Sequence, residues 1–372
     1  MSGRVLVLGL GEVGQWVLEF LGRRPEVSRV IAADVRPDVG RYRVDTAALS
    51  CALGGYDTPF EFHQLDVNDI DGTARLIEAA HPDVIFTSMA VSSWYVLNPP
   101  SEVPKRALEK LLPAGFGFLV PWHVLLTSKV VRAMMKCGTE AILVNASYPD
   151  VVNHLLKCYH GFDRCIGAGK IDQVVGELQV RVARLENVPY SDVVVYLLGS
   201  SSIADQSEGA VPFRTRVLLG DVDLAQKYDV DDWIKNRLTG FMSETGRALH
   251  LFSATGASAV KNIVAILNDS HILTHVPGPN GVLGTYPARV GANGAEIALP
   301  EGVDLEAALA LNRKALTRDG IKDIREDGTV EFTEASREVL REVGYDCPTL
   351  SYDDLEARAK ELVALVPSWK AM

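Results

Sequence analysis

The stretch "RVLVLGLGEVG", residues 4–14, decides how the rest of the chain reads. Its first half is a continuous apolar run of strand length, the pattern of a strand buried on both faces. Its second half is Gly9-Leu10-Gly11-Glu12-Val13-Gly14, a G-x-G-x-x-G turn, and "GEVGQWVLEFLGRR" continues with helical spacing. In that order each glycine has a task. The first permits the tight turn, the second lets a pyrophosphate approach the backbone, and the third lets the helix pack on the strand. The pyrophosphate would rest on the free N–H groups of the helix start. Gly9, Gly11, Glu12, Val13 and Gly14 are therefore candidate cofactor contacts.

Further strands follow at "RVIAADV" (29–35), "PFEFHQLDV" (59–67), "DVIFTSMA" (83–90) and "EAILVNAS" (140–147). Between them lie helical patterns at "GTARLIEAA" and "HVLLTSKVVRAMMKCG" (123–138), the latter closed by Gly138 as a C′ residue. This βαβ alternation predicts an α/β chain with a Rossmann-type, doubly wound parallel sheet. Asp34 ends the second strand, where an acid binds the adenosine ribose and disfavours a 2′-phosphate, so NAD is the expected cofactor. Arg36 and Arg41 lie just beyond it and leave NADP possible.

At 372 residues and 47% hydrophobic content, the chain is long enough for two domains sharing a large core. A formal net charge of −11 argues against nucleic acid or an anionic membrane as the main partner. The opening residues carry no signal-peptide cleavage pattern, and no stretch reaches the ~18 apolar residues of a membrane span. The five cysteines are scattered, and no His, Cys or Asp cluster has metal-ligand spacing. A cytoplasmic, metal-free protein acting on a small molecule is expected.

The element "LDVND" places Asp66 and Asp69 three apart before the next helix, which resembles the extended short-chain dehydrogenases. In that family such an acid reaches the adenine, so the resemblance makes Asp66 an adenine-side candidate. The family's Tyr-x-x-x-Lys pair is absent: Tyr95 is followed four residues on by Pro99. A broader resemblance covers roughly residues 1–316. "VIFTSMAVS" (84–92), "VLLTSKVVRAMMKCGTEAILVNASYPDVVNHLLKCYHGFDRCIGAGKID" (124–172) and "SAVKNIVAILNDSHILTHVPGPNGVLGTYPARVGANGAEIAL" (258–299) resemble the lactate/malate dehydrogenase superfamily. The resemblance implies a dinucleotide-binding domain over 1–150 and an α+β substrate and oligomerisation domain over 151–317. Residues 318–372 then form a helical appendage, with Thr333 and Ser351 as expected helix caps. It also implies cofactor contacts at Ser88, Met89, Ala90 and Asn145, and a homodimer or homotetramer. Apolar helices such as "WVLEFL" and "LLTSKVVRAMM" would pair between subunits.

The departures fall on the chemistry. The family's aspartate lands on Asp172, but its neighbouring arginine lands on Val175, so the clamp for a substrate carboxylate is missing. The catalytic histidine's place falls on Ser201, and Tyr148 replaces the asparagine before Pro149. Replacement groups are sought around "CIGAGKIDQVVGE" (165–177). A lysine desolvated beside a cofactor serves as a base, which makes Lys170 with Asp172 a candidate pair; the alternative is that Asp172 only caps the helix. Tyr148, at the carboxyl end of the fifth strand, and His250, on the helix that lines the family's substrate pocket, are further catalytic candidates. His123 and His154 rank below them, His271 and His275 read as structural, and Ser253, Thr255 and Ser258 read as helix-packing residues that can also reach substrate. The expected activity is NAD(P)-dependent hydride transfer on a small polar alcohol or aldehyde. An epimerase or lyase that retains NAD, or a non-catalytic dinucleotide-binding regulator, are the alternatives.

Overall fold

The computed structural model of the protein describes residues 3–93, 96, 110–205, 211–235 and 251–371. Its centre is a six-stranded sheet in the order β3-β2-β1-β4-β5-β6. The strands are β1 (Gly3–Leu8), β2 (Val27–Asp34), β3 (Phe60–Gln64), β4 (Val84–Thr87), β5 (Ile142–Asn145) and β6 (Cys165–Gly167), all paired parallel. That is the doubly wound order, with the chain reversing direction between β1 and β4 and leaving a crevice at the strands' carboxyl ends. The apolar run read at residues 4–10 forms the centre of the sheet: Val5, Leu6 and Val7 are completely buried.

Two elements of this half escaped the sequence. The helix Pro37–Leu53 follows β2, yet its buried stripe, Gly40, Val44, Ala47 and Cys51, is made of mostly small side chains, while the larger apolar residues Tyr42, Leu49 and Leu53 are exposed on other faces. A helix without amphipathic periodicity gives that criterion nothing to find. β6 is three residues long and runs straight into a helix, too short to register as a strand.

The second region carries two antiparallel three-stranded sheets, β7 (Val193–Gly199), β8 (Phe213–Leu219), β9 (Val222–Asp223) and β10 (Ile272–Pro277), β11 (Thr285–Gly291), β12 (Gly294–Ile297). Its helix Phe252–Leu267 packs on the first helix, Glu12–Leu21, so closely that a Cβ on Gly256 would meet the Trp16 Cβ at 2.8 Å.

Residues beyond 318 are not purely helical. They form a third antiparallel sheet, β13 (Ile321–Ile324), β14 (Val330–Phe332) and β15 (Thr349–Leu350), with helices Glu334–Glu342 and Leu355–Lys370. Thr333 caps the first of these, accepting from the Ser336 N–H at 3.2 Å. Ser351 does not cap the second; its hydroxyl donates to the Asp354 carboxylate at 2.6 Å, and the helix begins after Asp354. This segment is part of the main core. Trp122 donates its indole N–H to the Ala359 carbonyl at 3.1 Å, and Trp369 donates to the Val343 carbonyl at 2.9 Å. Both indoles are fully buried, as such large apolar groups can be once their N–H is partnered. The helix Val120–Cys137, expected to face another subunit, therefore has an intramolecular partner in Leu355–Lys370. The helix Glu12–Leu21 likewise has one in Phe252–Leu267.

Candidate functional site

One long groove of about 760 Å³ follows the carboxyl ends of the sheet. At one end it is lined by Gly9, Gly11, Glu12, Val13, Asp34, Arg36, Arg43, Asp66 and Asn68, with Ser88, Met89 and Ala90 midway. Gly9 turns with φ +85°, and a Cβ there would lie 2.4 Å from Met89 Cγ. Gly11 faces open space, so bare backbone meets the groove, and no side chain caps the helix that starts there. Gly14 stands outside the lining; its missing Cβ would sit 2.2 Å from the Gly9 carbonyl oxygen, which makes it the packing glycine. A bare turn and an uncapped helix start fit a pyrophosphate.

Asp34 closes this end. Its Oδ2 accepts from the Leu10 N–H at 2.8 Å, and its Oδ1 accepts from the Arg36 N–H at 2.9 Å and Nε at 3.1 Å. Burial pushes the carboxyl up, but the Arg36 side chain and the two backbone N–H groups outweigh it and hold the group below the usual carboxylate range. Asp66 closes an Asx turn on Asn68 at the rim. Arg43 donates to Glu12 at 2.7 Å through Nη2 and keeps Nη1 buried without a partner. Asn145 does not reach the groove: fully buried, it accepts from the Ser147 N–H at 2.8 Å and donates to Asn153 at 3.0 Å. It braces the turn that carries Tyr148.

The other end is lined by Phe116, His123, Ser147, Tyr148, Asp150, Lys170, Ser201, Ser202, Phe252, Thr255 and Asp319. Tyr148 stands in the left-handed region (φ 48°) at the start of helix Pro149–His160, and its hydroxyl donates to Asp319 Oδ2 at 2.7 Å. His123 lies edge-on to it, ring centroids 5.9 Å apart, with Nδ1 2.9 Å from the Ser147 hydroxyl. Burial, and then the Lys170 charge, push this imidazole down to about 4, so it is neutral at physiological pH. Lys170 opens the helix Lys170–Glu186 with its ammonium 5.4 Å from the Phe116 ring centre.

Asp172 belongs elsewhere. It is neither the helix N-cap, which is Gly169, nor a partner shown for Lys170. Its Oδ2 accepts from Ser258 at 2.5 Å and pairs with Lys261 at 2.8 Å, and Ser258 also accepts from the Gly169 N–H at 3.0 Å. The network ties the Lys170 helix to the helix Phe252–Leu267. His250 lies outside the described residues. His275 is structural: it accepts from the Leu197 N–H at 3.0 Å, and burial pushes its ring down to about 4. Sequence reasoning missed Asp150, Ser202, Phe116 and Asp319. None belongs to a local motif, and only folding brings Asp319 to Tyr148. Among the described residues no helix is long and apolar enough to cross a membrane, and no His, Cys, Asp or Glu cluster could hold a metal ion.

A doubly wound sheet in this order, followed by this α+β region, is the fold of the lactate and malate dehydrogenases. The chain is similar to the malate dehydrogenase of Picrophilus torridus, at 16% identity and a TM-score of 0.63, over 86% of this chain and 97% of that one. It is also similar to a lactate dehydrogenase of Cryptosporidium parvum complexed with lactic acid and nicotinamide adenine dinucleotide, at 16% identity and a TM-score of 0.61, over 86% and 97%. For the malate dehydrogenase of Plasmodium falciparum in complex with NADH the identity is 12% and the TM-score 0.57, over 92% and 99%. No family model and no curated protein matches the sequence.

Proposed function

We propose that the protein is an NAD-dependent oxidoreductase that transfers hydride to or from the carbon of a small polar alcohol or carbonyl compound. The observation that carries this reading is one continuous groove. It joins the glycine turn and Asp34 to Lys170, His123 and the Tyr148–Asp319 pair. NAD, when bound, supplies the hydride acceptor. The NAD-bound and NADH-bound dehydrogenases of the same fold support that choice of cofactor.

The chain's own residues supply the proton chemistry. The Tyr148 hydroxyl directs its proton at Asp319, the orientation in which the phenol oxygen can accept from a substrate hydroxyl. As the carbon loses hydride, the hydroxyl proton moves to the Tyr148 oxygen and the Tyr148 proton moves to Asp319, so that no charge is stranded on the phenol. The Lys170 ammonium stabilises the oxygen while negative charge develops on it. Asp172 acts at a distance, as a positioning residue for the helix that presents Lys170.

The test is a screen for NADH formation with alcohols, followed by Tyr148→Phe and Lys170→Met. Each substitution is expected to lower turnover by about a hundredfold or more, the scale of a lost acid–base group, with NADH affinity retained. Wild-type turnover in both variants would sink the proposal.

A further inference from the structure

The groove holds one acceptor that the reaction above does not use. Asp150 lies at the substrate end, 2% exposed, in the first turn of helix Pro149–His160. Its Oδ2 is fully occupied, accepting from the Ser201 N–H at 2.7 Å and from the Thr285 hydroxyl at 3.0 Å. Its Oδ1 is buried and has no hydrogen-bond partner among the described residues. A buried acceptor left unmatched is destabilising, and more so when charged. The helix start favours a negative charge at this position, but it provides no partner for the second oxygen.

The carboxylate is also rigidly placed. Three elements fix it: its own helix, the turn at Ser201 and the start of β11 at Thr285. Its main-chain carbonyl additionally accepts from the Gly284 N–H at 3.2 Å. The charges around it run against an acidic substrate. Among the described lining residues, the guanidinium groups, Arg36 and Arg43, both lie at the dinucleotide end, while this end sets Asp150 and Asp319 against Lys170.

We infer that Asp150 is the residue that recognises the substrate, and that its Oδ1 accepts from a hydroxyl or ammonium group carried beside the reacting carbon. The substrate is then a donor-bearing alcohol or carbonyl compound, a diol or amino alcohol type, rather than a hydroxy acid held by its carboxylate. The inference rests on the hydride-transfer reading for the word substrate, but the binding it describes is measurable without turnover.

The experiment uses the full chain with NAD and five probes: aminopropanol, propanediol, isopropanol, lactate and malate. NADH formation and thermal stabilisation are both recorded. Aminopropanol, propanediol or both should exceed isopropanol by at least about tenfold in kcat/KM or apparent affinity, because a site built to receive a donor discriminates against the analogue that lacks it. Preference for one of the two identifies the donor as ammonium or hydroxyl. Asp150→Asn should abolish that preference and leave NADH affinity unchanged. If Asp150→Asn does not fold, Thr285→Val keeps the carboxylate, loosens its anchor and should weaken the preference several-fold.

Retention of the preference in these variants overturns the inference. So does a preference for lactate or malate, or the lack of any Asp150-dependent response across the probes. Loss of NADH affinity in Asp150→Asn overturns it too, because the carboxylate then serves the cofactor. Stabilisation that depends on Asp150 without NADH formation leaves the inference standing and removes the hydride-transfer reading. NADH formation indifferent to Asp150→Asn does the reverse.

Discussion

The two ends of the groove are assembled over different distances along the chain. At the dinucleotide end, Asp34 is held by Leu10 and Arg36, partners 24 and 2 residues away. At the substrate end, Tyr148 meets Asp319 across 171 residues, Thr285 meets Asp150 across 135, and Ser258 meets Asp172 across 86. The first end is built from consecutive strand–turn–helix units within the first 68 residues, so its geometry follows largely from local turn and capping rules. The second is where loops from every part of the fold converge, so its geometry follows from packing.

The contrast is broken most directly at Gly14. A Cβ there would press on the Gly9 carbonyl oxygen at 2.2 Å, and that contact is backbone, which cannot swing aside. Gly14→Val is expected to weaken NADH binding at least about a hundredfold, roughly 2.7 kcal/mol, in a fluorescence titration. Wild-type affinity in that variant would remove the cofactor from this end.

The local end was legible for that reason. The glycine turn, β1 and β2, Asp34 and the capping residue Thr333 stand where pattern and turn chemistry put them. Other features were hidden because the signal that would expose them is absent. Pro37–Leu53 carries apolar residues on its exposed faces as well as its buried one. Spacing alone makes Asp172 a helix cap or a partner of Lys170. Its actual partners, Ser258 and Lys261, lie on a helix that begins 80 residues later, and no spacing rule reaches that far. Asp319 falls in the segment expected to be an appendage, and its backbone packs against Gly115 and Gly117 where its carboxylate meets Tyr148.

Acid should act next on a group outside the groove. His275 is buried and neutral, its ring pushed from 6.5 to about 4, while Asp34 is held below the usual carboxylate range. Between those two histidine values the unfolded chain binds a proton that the folded chain refuses. Stability is therefore full above pH 6.5 and falls as pH drops towards 4, by about 3 kcal/mol for a shift of this size. His275→Gln keeps an acceptor for the Leu197 N–H and removes the titration. Its melting temperature should fall less than that of the wild type between the same two pH values, and equal losses would show that other groups dominate.

Asp319→Asn probes the long-range end more gently. The amide still accepts from the Tyr148 hydroxyl but cannot take its proton. Turnover is expected to fall about tenfold, at the low end of acid–base effects, with the Kd for NADH unchanged. Unchanged turnover would leave Asp319 as an anchor for the C-terminal segment.

The smallest effect is expected at Asp34, and it reads the cofactor directly. The carboxylate does two things there: it accepts from the buried Leu10 N–H and it holds Arg36 by Nε at 3.1 Å. While Arg36 and the two backbone N–H groups keep it ionised, it can accept from both ribose hydroxyls and it repels a 2′-phosphate. Replacing it with serine keeps a small acceptor near Leu10 but removes the charge. Arg36, more than half exposed, is released, and Arg43 already carries a buried guanidinium N–H without a partner beside it. NADH affinity should therefore fall about fivefold, near 1 kcal/mol, while NADPH affinity rises, because the Arg36 guanidinium then has no Asp34 carboxylate to hold it and can meet a 2′-phosphate. Titrating the wild type and Asp34→Ser with both dinucleotides measures the change. If wild-type protein already binds NADPH more tightly than NADH, Arg36 rather than Asp34 reads the ribose, and the local end follows a rule other than the acid's.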